Sequence, residues 1–120
     1  VKLVVEEPET GRLEHHLTEH AGVLATSELS IVEVARATKL ANPSPALQEQ
    51  VDRLLSSCLL VAVTDRLLSA ARRLASPSVR TLDAIHLASA LRIEADELLA
   101  YDRRLLQAAR EQGLAVATPA

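Results

Sequence analysis

Short apolar runs alternate with longer amphipathic stretches along this chain. VLAT, LLVAV, LLAY and LAVA are separated by SELSIVEVARATKL, TDRLLSAARRLA and YDRRLLQAAREQG. Within the runs, polar and apolar residues do not alternate, as expected of strands covered by helices on both faces. Strands and helices in alternation predict βαβ units, and so an α/β fold with a central parallel sheet flanked by helices. The boundaries agree. Thr26 or Ser27 can cap the helix that carries Glu33, Asn42-Pro43-Ser44-Pro45 breaks the chain before ALQEQVDRLL, and Gly113 ends the last helix before a final strand. A further helix is expected from Glu9 to His20. No linker divides the chain, so residues 1–120 read as one domain.

One stretch breaks the apolar rule. TLDAIHLASAL, Thr81 to Leu91, reads as a helix apolar on nearly every side, yet Asp83 sits in its first turn. A carboxylate that loses water without a partner is costly and tends to take up a proton. Asp83 therefore needs a partner that sequence neighbours do not supply.

Composition narrows what that partner is. The formal charge is -3, and Tyr101 is the one aromatic residue. A base-stacking platform of the kind non-specific single-strand binders use is excluded, so any nucleic acid would be held by arginines on phosphates and sugars. No apolar run is long enough to cross a bilayer and no export signal is present, which predicts a cytoplasmic protein without membrane association. The lone Cys58, in the run CLLVAV, is expected to be a buried, inert thiol, with no positive group beside it in sequence to stabilise a thiolate.

In open parallel sheets ligands bind beyond the carboxyl ends of strands, which makes Glu28, Asp65 and Asp102 candidates, with Glu33 a helical turn further on. Each has a structural alternative. Asp at a helix start caps free amides, the reading kept for Asp65 and open for Asp83 and Asp102, and Glu33 can pair with Arg36 on a solvent face. Several carboxylates gathered in one place mean something else, because their mutual repulsion is relieved when a divalent cation sits among them. Hard oxygen ligands favour Mg2+ or Mn2+.

SELSIVEVARA, RTLDAIHLASAL and YDRRLLQAA, taken in order, resemble the second, third and fourth acidic motifs of the PIN-domain ribonucleases, with VapC-type toxins of toxin–antitoxin pairs as the nearest pattern. The trailing GLAV followed by Pro119 fits that family's last strand. The resemblance implies a three-layer α/β/α PIN-like domain in which Glu33, Asp83 and Asp102 hold Mg2+ or Mn2+ for endonucleolytic cleavage of RNA. It also implies a homodimer and an antitoxin that covers the site. Glu28 and Asp65 fall outside the motifs.

Two departures stand against the pattern. Relatives open with a strand that ends in an Asp, whereas this chain starts at VKLVVEEPET, which matches the end of their first helix; the expectation is a domain lacking its opening strand, preceded in nature by a further segment. By propensity alone VKLVV is a strand, but the resemblance makes it helical. Ala100 stands where many relatives carry Thr or Ser before the last Asp.

His16 and His20 are one turn apart, yet HHLTEH is not a zinc motif with a third ligand. His86 shares a helix face with Asp83 and reads as a packing residue or a support for a site side chain. Arg36, Arg80, Arg103 and Arg104 lie near the acids in sequence and are candidate contacts to RNA phosphates, with surface solvation as the alternative. A non-catalytic PIN-like module that binds protein or RNA is the alternative to the nuclease. A helical DNA-binding regulator is disfavoured by the four strand-like runs.

Overall fold

A computed structural model describes residues 2–5, 23–33, 36, 45–74 and 79–118 of the chain. Five strands, β1 (Lys2–Val4), β2 (Leu24–Ser27), β3 (Leu59–Val61), β4 (Glu97–Leu99) and β5 (Ala115–Ala117), form one sheet. Its order is β3-β2-β1-β4-β5, with every pairing parallel. Parallel neighbours require crossover connections. Here these include α1 (Pro45–Ser57), α2 (Asp65–Arg73), α3 (Thr81–Arg92) and α4 (Arg103–Glu111), and residues 30–33 are also helical. The result is a three-layer α/β/α fold, as expected.

The strand VKLVV settles in favour of propensity. Lys2–Val4 is extended and holds the middle of the sheet, in register with β2 through Lys2↔Leu24 and with β4 through Leu3↔Leu98. The helix expected from the resemblance is not formed at Lys2–Val4. The reason is physical: a central strand satisfies its backbone groups on both edges, and alternate side chains reach opposite faces. Leu3 joins the core under α3 and α4 with Leu87, Leu98 and Leu105, while Val4 packs with Leu99 on the other face. The proposed helix Glu9–His20, with His16 and His20, lies outside the described residues.

Local chemistry sets the element ends. Pro45 opens α1, where its missing N–H costs nothing. Thr64, not Asp65, caps α2 by accepting from the Leu67 amide at 3.1 Å; Asp65 contributes only a negative charge to the first turn. Thr26 does not cap a helix. Its hydroxyl donates to the Val4 carbonyl at 2.7 Å and meets Ser30 Oγ at 2.6 Å, while Ser27 Oγ accepts from the Leu29 amide. Since Thr26 has one hydroxyl proton, spent on Val4, Ser30 donates to Thr26.

Two helices end alike. At α4, Gly113 takes a left-handed φ of 82°, its amide bonding Arg110 O and that of Leu114 bonding Ala109 O. At α3, Glu94 occupies the same position with φ 52°, and the amides of Glu94 and Ala95 bond Leu91 O and Ala90 O. Both are Schellman turns, one closed by glycine and one by a residue with a Cβ. Cys58, just before β3, is partly exposed, contrary to the buried thiol expected.

Candidate metal centre

The sheet order reverses between β1 and β4, because the chain runs to β2 and β3 on one side and to β5 on the other. Such a reversal leaves a crevice beyond the carboxyl ends of the strands. Here it holds a pocket of about 400 Å³ lined by Val5, Glu33, Arg80, Thr81, Leu82, Asp83, His86 and Asp102.

Three elements deliver the three acids. Glu33 comes from the helical residues after β2, Asp83 from the first turn of α3, and Asp102 from the turn after β4. Asp83 is drawn inward because α3 is buried along Ala84 to Ala90. Burial and then the charge of Asp102 push the Asp83 carboxyl above its ordinary value, and Glu33 adds to the rise. His86 and then Arg80 pull in the opposite direction.

Each of the other two acids has one oxygen engaged. Glu33 Oε1 lies 2.7 Å from His86 Nε2, so the surface pair with Arg36 is replaced by an internal one. Asp102 Oδ1 accepts from the amides of Arg104 at 2.8 Å and Leu105 at 3.3 Å, capping α4. The capping alternative is thus realised at Asp102, and it leaves the second oxygen of the carboxylate uncommitted to the cap.

The remaining candidates disperse. Glu28 Oε1 accepts from the Val63 amide at 2.7 Å, bracing the ends of β2 and β3. Arg80 lines the pocket from the N-cap of α3 and makes no side-chain cap bond there. Arg36, Arg103 and Arg104 are exposed and do not line it. Val5, unmarked by any sequence argument, stands at the end of the central strand and lines the pocket. Ala100 is fully buried and its amide bonds Ala117 O, holding β4 to β5.

The model of the PIN domain family matches residues 1–111. The chain belongs to the PIN domain family. Among relatives of this PIN domain, Ribonuclease VapC46 of Mycobacterium tuberculosis (strain ATCC 25618 / H37Rv) is 40% identical over 122 residues, covering 99% of this chain and 91% of its own. Ribonuclease VapC47 of Mycobacterium tuberculosis (strain CDC 1551 / Oshkosh) is 36% identical over 123 residues, covering 98% and 90%. The crystal structure of PAE2754 from Pyrobaculum aerophilum shares the fold with a TM-score of 0.70 at 23% identity, covering 96% of this chain and 89% of that one.

Whether this PIN domain suits a cation is a question of donor chemistry. Among the described residues, no group of three or more His, Cys, Asp or Glu side chains is placed so that all could hold one metal ion. Mg2+ does not require that many protein ligands, since it keeps several waters and takes few protein carboxylates. Three carboxylates bordering one pocket, with Asp83 paying for its burial and for the charge of Asp102, fit such an ion.

Proposed function

We propose that this PIN domain is a metal-dependent endoribonuclease, the toxin half of a toxin–antitoxin pair, acting in the cytoplasm. The observation that carries the reading is the meeting of Glu33, Asp83 and Asp102 in one pocket at the sheet's switch point. The relatives named Ribonuclease VapC support it.

In this reading Glu33, Asp83 and Asp102 hold Mg2+ or Mn2+ through their carboxylate oxygens. A divalent ion held there would supply activation of water and stabilisation of charge on the phosphate. Arg80, in the same pocket, pairs with a phosphate oxygen of the RNA and orients the strand. Arg36, Arg103 and Arg104 are further contacts outside the pocket. A cognate antitoxin covers the acids, and the toxin pairs with a second copy of itself.

The test is cleavage of RNA after metal removal with EDTA and restoration with Mn2+ or Mg2+. The proposal expects activity that disappears with chelation and returns with the ion, together with Mn2+ binding that Asp83→Asn abolishes. Val5 in the pocket and the engaged oxygens of Glu33 and Asp102 favour a second reading, a non-catalytic module that binds RNA or protein. RNA binding that is indifferent to EDTA, without cleavage at any metal concentration, would establish that reading instead.

A further inference from the structure

We infer that His86 is a positioning residue: it holds the Glu33 carboxylate at the pocket through a hydrogen bond, so that α3 places two of the three acids. The inference rests on the metal-site reading above and assigns the support of one of its ligands.

Glu33 is poorly anchored by its own surroundings. Its side chain is 31% exposed, and its neighbours Ile31 and Val32 are exposed on the same helical segment. A glutamate with three rotatable bonds is ordered only if something holds its carboxyl group. Among the described residues the one bond that does so is the 2.7 Å contact to His86 Nε2, made across 53 positions of sequence. His86 is the opposite case: its side chain is 2% exposed, inside a stretch of α3 buried from Ala84 to Ala90.

An ionised carboxylate only accepts, so the bond is donated by Nε2. The other ring nitrogen, Nδ1, is buried with no hydrogen-bond partner among the described residues, so Glu33 is the one polar group the ring holds there. His86 also lies one turn after Asp83 on the same helix face. Movement of α3 would therefore displace Asp83 directly and Glu33 through the imidazole.

The experiment compares wild type with His86→Gln, which keeps an amide donor near the Nε2 position, and His86→Leu, which fills the space without one. Mn2+ affinity is measured without RNA, kcat and KM for RNA are measured at fixed and at saturating Mn2+, and folding is checked by circular dichroism. The expected result is Mn2+ binding weakened about 10–100-fold in His86→Leu. Raised Mn2+ then restores kcat, KM for RNA does not change, and most of the affinity returns in His86→Gln. Nitrogen-15 NMR of the wild-type imidazole is expected to show a hydrogen-bonded proton on Nε2, perturbed by Glu33→Gln; this decides the matter even if His86→Leu does not fold. A folded His86→Leu with wild-type Mn2+ affinity, a His86→Gln as damaged as His86→Leu, or a wild-type ring with no proton on Nε2 overturns the inference while leaving the nuclease reading intact. A folded wild type that binds no Mn2+ overturns both.

Discussion

Asp102, at the start of α4, and Asp83, in the first turn of α3, face one pocket, and after burial the charge of Asp102 is the largest influence raising the Asp83 pKa. In the absence of a cation this arrangement costs stability. A carboxyl whose folded pKa lies above its unfolded value binds more protons in the native state, so stability falls as pH rises from the ordinary value of 3.8 through the folded one. Asp83→Asn removes that charge. In EDTA at neutral pH the variant is expected to melt above wild type, with the difference shrinking as pH falls through the same window. Thermal melts across pH check this, and a wild type that melts higher at neutral pH contradicts it.

Asp102 caps α4, and in the proposed reading it also holds the ion; substitution separates the two. Asn caps a helix about as well as Asp, whereas Ala loses the cap at about 1 kcal/mol. Asp102→Asn is thus expected to keep wild-type stability while lowering RNA cleavage by at least ~100-fold through loss of an ion ligand. Asp102→Ala is expected to lose both. Denaturant midpoints alongside cleavage rates distinguish the cases; equal cleavage by Asp102→Asn and wild type would confine Asp102 to the cap.

Thr26 ties β1 to the start of the helix that carries Glu33, through Val4 O and Ser30 Oγ. Thr26→Val keeps the shape and removes one bond from each of its two partners, Val4 O and Ser30 Oγ, at a cost of about 1–3 kcal/mol. Urea denaturation should show that loss. Because the tie braces the element bearing Glu33, Mn2+ binding should weaken as well.

Glu94 holds a left-handed conformation that glycine adopts without strain. Glu94→Gly is expected to raise stability by about 1 kcal/mol, with unchanged RNA cleavage since Glu94 does not line the pocket. A lower melting temperature in this variant would mean that the Glu94 side chain supplies more than its backbone costs.

Most of the sheet was legible before any coordinates, because buried parallel strands leave unbroken apolar runs and helices leave amphipathic ones. VLAT, LLVAV, LLAY and LAVA each yield a strand. The first strand was the difficult one, since VKLVV pits local propensity against an analogy of position, and the need to pair on two edges decided for propensity. Asp83 announced itself by being charged in an apolar helix. Its companionship with Glu33 and Asp102 did not follow from spacing, and came from the resemblance. The bond from His86 to Glu33 and the place of Val5 were out of reach, because both depend on which strand ends lie side by side. At Thr64-Asp65 the wrong neighbour was expected to cap, since one residue's shift in a helix start is below what pattern alone resolves.

The central strand pairs with β4, whose residues follow it far along the chain, Lys2 lying beside Glu97. Contacts between distant segments form slowly, since a long loop must close before they contribute. During synthesis β1 therefore waits, half-paired with β2, until Glu97–Leu99 has left the ribosome, and the crevice with Asp102 on its wall takes shape only then. The pocket is thus absent from a growing chain until β4 has been made, however early β1 and β2 begin to pair.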